Sequence, residues 1–329
     1  MIWLTWRQHR RTALIFGGAI ALLVTFFVVT GLVTHQAYEQ VVGGLSVATC
    51  QRQMSPSSAC DALSMTFVQT YSKLSQYAML ALVILPALAG MFLGAPLVAR
   101  ELEGGTFRLI WTQSVTRRRW LGISCGMVIG LVVLICAIFI PLVRWWGAPL
   151  GLNIGLGGEY YDVGGATPVV YLFFALALGI AAGALLRRVV PAMFATLVGY
   201  IVVRLPIELW ARPHFLPPLT QTWDPLVSNG PTNITVYDWI LYDGFASKAG
   251  QPIYPPFTIY QTCAPTGEVN LIPHSAFTAC VHAHGWLSTM IWQPASRYWL
   301  FQGIESAIFV ALAAALLALS FWWVRRRIA

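Results

Sequence analysis

Six long apolar stretches constrain the fold of this chain more than any other feature of its sequence. A helix needs about 20 mostly apolar residues to cross the hydrocarbon core of a bilayer. Only 10% of the residues are charged and 57% are hydrophobic, whereas a soluble domain carries about a quarter charged residues. The sequence therefore predicts an all-α integral membrane protein with six transmembrane helices. The predicted spans are 12–33, 77–98, 120–143, 166–186, 190–210 and 299–322.

The distribution of arginine predicts that both termini lie in the cytoplasm. Cytoplasmic loops of membrane proteins are enriched in Lys and Arg, and anionic inner leaflets favour the same asymmetry. The net charge of +8 is therefore a topology signal, and the dispersal of the basic residues at helix ends argues against a nucleic-acid-binding face. The predicted location is the cytoplasmic membrane. In this orientation 13 of the 20 basic residues lie inside: Arg7, Arg10, Arg11, Arg100, Arg108, Arg117, Arg118, Arg119, Arg187, Arg188, Arg325, Arg326 and Arg327.

Two segments outside the spans have their own predicted structure. Residues 1–11 combine Trp, Ile and Arg as an amphipathic elbow helix at the headgroup level would; an ordinary positive flank of the first span is the alternative. Residues 211–298 are rich in Pro and aromatic residues and are predicted to form an ordered extracellular cap between spans five and six. Residues 299–329 contain the sixth span and a cytoplasmic tail.

Four of the six cysteines fall in predicted outer loops, as two local pairs. In an oxidising compartment each pair would form a disulfide worth about 3 kcal/mol by loop-closure reasoning. We therefore predict the bonds Cys50–Cys60 and Cys263–Cys280; four free thiols are the alternative. Histidines near the second pair suggest a metal site only if the cysteines are unbridged, so no metal is predicted.

Three charged residues lie in or near the predicted fifth and sixth spans. Arg204 lies within the fifth span, Glu208 follows it by one turn, and Glu305 lies near the start of the sixth span. A helical rise of about 1.5 Å per residue places Arg204 and Glu305 in the same leaflet. Because an unpaired charge in a bilayer costs several kcal/mol, we predict that Arg204 pairs with Glu208 or Glu305. Such a group would stabilise an outer gate or contact the substrate.

Small residues recur at every fourth position in two spans, which is typical of helices that pack closely. Dimerisation through these stripes is an alternative to packing within the chain. The stripes are Ala175, Gly179 and Gly183 in the fourth span, and Ala307, Ala311 and Ala315 in the sixth.

The charged segment "ARELEGGTFRLIWTQSVTRRRW", residues 99–120, separates the second and third spans. Thr106 is a reasonable N-cap after the Gly-Gly pair. Phe107, Ile110, Trp111 and Val115 then follow at the spacing of one helical face. The predicted helix, residues 106–116, is too short to be stable alone in water. It must therefore dock on lipid or on a partner protein.

This segment resembles the loop between spans two and three in permease subunits of type 2 ATP-binding-cassette (ABC) exporters, and most closely an actinobacterial branch of them. Glu101, Glu103, Gly105 and Thr106 match the run that precedes the coupling helix of that family. The resemblance implies that Phe107 to Val115 form the coupling helix, which sits in a cleft of the ATPase, and that Glu101 and Glu103 are electrostatic partners of basic groups on the ATPase. The start "WLTWRQHRR" is similar to the family's elbow helix. One departure is the cap, because the family commonly has a short pair of re-entrant helices in its place.

The resemblance also implies partners. Lys73 and Lys248 are followed by Leu and Ala, so the chain has no Gly-x-x-x-x-Gly-Lys-Ser/Thr phosphate loop. We therefore expect no enzymatic activity and no cofactor in this chain; ATP and Mg would bind a separate ABC ATPase subunit. A second copy of the chain or a related permease would complete the transport pathway. A membrane sensory protein that signals to a cytoplasmic partner is the main alternative. A membrane-embedded enzyme is another, for which no catalytic cluster is visible.

Overall fold

A computed structural model describes residues 2–42, 58–105, 117–149, 155–157, 159–228, 230–235, 237–254, 257–264 and 273–327. The described part is mostly helical and contains one small sheet. The α-helices are α1 Ile2–Val42, α2 Ser58–Ala89, α3 Ala95–Glu103, α4 Arg117–Gly147, α5 Glu159–Val163, α6 Thr167–Leu186, α7 Val189–Pro206, α8 Phe257–Cys263, α9 His274–Ala283 and α10 Tyr298–Arg327. The strands are β1 Leu219–Trp223, β2 Trp239–Ala246 and β3 Leu287–Gln293. Two π-helical turns, Gly90–Gly94 and Ile207–Ala211, follow α2 and α7.

Five helical segments of the described residues are long and apolar enough to cross a membrane. They coincide with the first, second, fourth, fifth and sixth predicted spans. The third predicted span lies in α4, where Val132–Gly147 is a shorter apolar helix. The chain is thus a multi-pass membrane protein, whereas the sixth crossing and the orientation stay predictions. The five segments are Gly17–Glu39, Lys73–Glu103, Thr167–Leu186, Val189–His214 and Ala295–Arg326.

The contacts divide the chain into two compact units. The helical unit comprises residues 1–153, 162–198 and 309–329. The cap unit comprises residues 154–161 and 199–308, and it contains the sheet.

In the helical unit, α6 packs against the second apolar segment with almost no side chain between the two backbones. A Cβ atom on Gly94 would lie 2.8 Å from the carbonyl oxygen of Leu176. One on Gly183 would lie 2.6 Å from the carbonyl oxygen of Ala95. The stripe of small residues in α6 therefore serves a helix–helix contact within the chain. The stripe in α10, by contrast, is exposed.

Replacing Gly183 with alanine is expected to destabilise the protein by about 1–3 kcal/mol, because the added methyl group forces the two backbones apart. Gly303→Ala is the matched control, since a Cβ atom there meets nothing within 4 Å. The control should be as stable as the wild type, or up to about 1 kcal/mol more stable from helix propensity. Thermal unfolding of the purified protein in detergent measures both. Equal midpoints for Gly183→Ala and wild type would contradict the close contact.

The cap unit is built on an antiparallel sheet with strand order β1-β3-β2. Met290 of β3 lies between Gln221 of β1 and Asp243 of β2. Beside the sheet, α8 and α9 form a small core that contains buried Ile259 and Val281. The sequence predicted an ordered cap with a disulfide, and the structure adds a sheet that the sequence analysis did not predict.

Candidate functional site

The whole of the predicted coupling helix, residues 106–116, lies outside the described residues. Thr106, Phe107, Ile110, Trp111 and Val115 all fall in the gap at 106–116, so their role stays a prediction. At the N-terminus, residues 2–11 are helical and continue without a break into the rest of α1. Their assignment as an elbow helix likewise stays a prediction.

The chain leaves α3 at the double glycine, just before the predicted coupling helix. The N–H of Gly104 donates to the carbonyl of Arg100 at 3.0 Å and closes the last turn. Gly105 has φ +67°, a left-handed conformation that glycine adopts without steric cost and that commonly ends a helix. Glu101 is half-buried and Glu103 is exposed. The glycine of the family-like run is therefore required by the backbone at this turn.

Side chains of α3 fasten this end of the second apolar segment to three other helices of the helical unit. Val98 and Leu102 pack with Ile180 of α6 and Val324 of α10 in a buried cluster. Ala95 and Ala99 form a second buried cluster with Ala182 of α6 and Ala192 of α7. The buried face of α3, just before the predicted coupling helix, is thus packed against three other helices.

Glu103 makes a contact that the sequence analysis did not predict. Its Oε2 atom accepts a hydrogen bond of 2.8 Å from the backbone N–H of Val189, the first residue of α7. The two residues are 86 positions apart, and no local pattern in the sequence links them. Glu103 therefore has a partner within its own chain.

Four charged side chains form a cluster in the cap unit. Nη1 of Arg204 lies 3.6 Å from Oε1 of Glu305, and Nη2 lies 3.6 Å from Oε2 of Glu208. The structure thus brings together the three charged residues that the sequence singled out. Glu305 and Arg204 are buried, with exposed fractions of 0% and 4%, whereas the Glu208 side chain is 32% exposed.

The fourth member, Arg212, was missed by the sequence analysis and makes the shortest ion pair of the cluster. Its Nε and Nη2 atoms donate to the two carboxylate oxygens of Glu305 at 2.9 and 3.0 Å. Such a bidentate ion pair is among the strongest hydrogen-bonded arrangements in proteins. The guanidinium of Arg212 also lies over the ring of Tyr161, 4.2 Å from the centroid, in a cation–π contact. Glu305 is therefore held between two guanidinium groups.

The π-helical turn Ile207–Ala211 explains how both arginines reach one carboxylate. Residues eight apart in a regular α-helix are rotated by about 80° around its axis. The wider turn between Arg204 and Arg212 changes that rotation, and a short 3₁₀ turn Arg212–His214 follows it. Arg212 lies just past the predicted end of the fifth span, so it was grouped with the cap. The available signal in the sequence was a second arginine two positions beyond a predicted span that already contains Arg204 and Glu208.

The predicted bond between Cys263 and Cys280 is present, with an S–S distance of 1.99 Å. His284 lies close enough that its ring nitrogen and the two sulfur atoms are within 4.8 Å of one another. Because the sulfurs are bonded to each other, they are not thiolate ligands, and we assign no metal site to this group. Cys50 lies outside the described residues, so the Cys50–Cys60 bond stays a prediction.

An exposed polar pair links α9 to the end of β1 in the cap unit. Oδ1 of Asp224 accepts a hydrogen bond of 2.9 Å from the N–H of Leu226, and Oδ2 contacts Nδ1 of His282. The backbone hydrogen bond and then the His282 contact lower the pKa of Asp224 below its ordinary value. The pair fixes the turn that follows β1.

The comparison with known families agrees with the apolar helices and with the resemblance of residues 99–120. The family model described as ABC-2 membrane transporter related matches residues 17–212. The chain belongs to this ABC-2 family. No curated protein and no solved structure matches the chain. The matched region of this ABC-2 membrane protein includes the predicted coupling segment and both arginines of the cluster, and it ends before the sheet and Glu305. Family membership identifies a transmembrane component of an ABC transporter, of a kind that typically works with an ABC ATPase.

Proposed function

We propose that the chain is the transmembrane subunit of an ATP-driven ABC exporter of type 2, from the actinobacterial branch that residues 99–120 resemble. The match of the ABC-2 family model to residues 17–212 carries this proposal. In the proposed topology six helices cross the cytoplasmic membrane with both termini inside. The chain forms the translocation pathway together with a second copy of itself or a related permease.

Energy enters through a separate ATPase subunit, since this chain has no phosphate loop of the Walker type. ATP binding with Mg closes two ATPase subunits, and the coupling helix at 106–116 moves with them. Rigid-body displacement of packed helices then opens the path outward. The substrate moves between hydrophobic spans, which suits lipids, lipid-linked glycans, amphipathic drugs and peptides.

The packing of α3 supports this route for the force. Val98 and Leu102 lie in one buried cluster with residues of α6 and α10, and Ala95 and Ala99 in another with residues of α6 and α7. Closely packed interiors transmit displacement and do not absorb it continuously. A shift of the segment after Glu103 would therefore move several helices together.

The charge cluster is proposed to stabilise the outer gate. Arg212 follows the fifth predicted span, and Glu305 lies in the sixth. Their bidentate ion pair joins these two elements within the cap unit. Two arginines and two glutamates make the cluster formally neutral. A neutral, buried group of this kind favours one closed arrangement and supplies few charges for a substrate to bind.

Co-purification and transport assays test the proposal. The chain is co-expressed with a candidate ABC ATPase from the same genome, purified in detergent and reconstituted into liposomes. We expect a stable complex whose ATPase activity is stimulated by at least one compound from the four substrate classes above, and whose transport of that compound requires ATP. Failure of the ATPase to bind, or an extracellular location of residues 106–116 by cysteine labelling, would reject the proposed function.

A further inference from the structure

The carboxylate of Glu103 joins two segments of the helical unit that are far apart in sequence. Glu103 is the last residue of α3 and lies three positions before the predicted coupling helix. Val189 is the first residue of α7, the fifth apolar helix. Their hydrogen bond of 2.8 Å therefore links the end of α3, just before the predicted coupling helix, directly to the start of α7.

The first N–H groups of α7 have no acceptor within their own helix, as is general for the first turn of an α-helix. Arg187 ends α6 with φ 57°, its own N–H donating to Gly183, and Ala192 donates back to Arg188. Pro191 has no N–H. The carboxylate of Glu103 satisfies the N–H of Val189, and its negative charge is favourable at a helix N-terminus.

We propose that Glu103 is a positioning residue that ties the coupling segment to α7, so that movement of the segment reaches α7 as well as α6. The inference rests on the proposed function for its consequence in transport, but the cap itself is independent of any ATPase. It revises the expectation that Glu103 is an electrostatic partner of the ATPase. A cap requires an oxygen acceptor at this position, whereas docking on basic groups of an ATPase requires the negative charge.

Two variants separate these roles. Glu103→Gln keeps a side-chain oxygen of the same reach and removes the charge, and Glu103→Ala removes both. Hydrogen–deuterium exchange is measured on the chain alone in lipid nanodiscs. We expect exchange at the first amides of α7 to be about fivefold faster in Glu103→Ala, the typical effect of a lost N-cap, and within about twofold of wild type in Glu103→Gln. Exchange in α6, residues 167–186, serves as the internal control.

Unchanged exchange at Val189 and Val190 in Glu103→Ala would overturn the cap. A uniform rise across α6 and α7 would also overturn it, because that result indicates global destabilisation and no local link.

The second measurement uses the complex with the ATPase. In Glu103→Ala we expect ATPase binding to stay within about twofold of wild type while transport per ATP hydrolysed falls several-fold, as loss of a helix cap weakens the link to α7. Glu103→Gln should restore the transport ratio. Equal loss of ATPase binding in both variants would overturn the positioning role and assign Glu103 to docking. If the wild-type chain binds no ATPase, the proposed function and the coupling role fail together, and only the exchange result survives.

Discussion

Replacing Glu305 with alanine is expected to destabilise the protein by about 3–5 kcal/mol, the usual cost of removing one partner of a buried ion pair. The variant removes the carboxylate that receives both hydrogen bonds of Arg212 and lies 3.6 Å from Arg204. Both guanidinium groups would stay buried with less compensating negative charge. The free energy of unfolding in mixed micelles, from denaturant titration, measures the loss.

Glu208→Ala provides the matched control within the same cluster. Its side chain is 32% exposed and lies 3.6 Å from Arg204, so its removal should cost less than the removal of Glu305, because Arg204 keeps Glu305 as a partner. The double variant Arg212→Met, Glu305→Leu should be less destabilised than the sum of the two single changes, because it leaves no unmatched charge of this pair. Equal stability of Glu305→Ala and Glu208→Ala would refute the assignment of Glu305 as the centre of the cluster.

Trp111→Ala and Ile110→Asp are expected to abolish ATP-driven transport while membrane insertion stays intact. Truncation of an aromatic anchor at a protein interface commonly costs about 2 kcal/mol or more, which weakens binding by about 30-fold. An aspartate on the apolar face would also introduce a charge that the ATPase cleft has to desolvate. Co-purification of the ATPase and transport by reconstituted vesicles measure the two effects.

Gln113→Ala is the control for the coupling helix, because Gln113 lies outside the apolar face that Phe107, Ile110, Trp111 and Val115 form in the predicted helix. This variant should retain ATPase binding and transport. If transport is unchanged in both Trp111→Ala and Ile110→Asp, residues 106–116 do not couple the chain to an ATPase.

The membrane helices could be predicted from sequence because a single physical quantity, the length of an apolar stretch, determines them. The proximity of Arg204 to Glu208 and Glu305 followed from the same logic, since a charge in lipid requires a partner. The place of Arg212 in the cluster was not predicted, because tertiary contacts determine how far a helix continues past its apolar stretch. The π-helical turn Ile207–Ala211, which directs Arg212 towards Glu305, has no clear sequence pattern.

The hydrogen bond from Val189 to Glu103 could not be predicted either, because it joins two helix ends brought together by packing of α3 against α6 and α7. The sheet of the cap escaped for a related reason. Its central strand, β3, pairs with β1 across more than 60 residues of chain, and strand preference depends strongly on such neighbours. Short strands between proline-rich stretches give little alternation to recognise.

The π-helical turn Ile207–Ala211 determines the rotation around the helix axis between Arg204 and Arg212. A π-helical turn differs from an α-helical one by an extra residue. If Ile207–Ala211 became regular α-helix with its length unchanged, Arg212 would rotate by about 100°, one residue's rotation, away from Glu305. The extra residue of this turn therefore keeps the two guanidinium groups on the same side of the chain, next to one carboxylate.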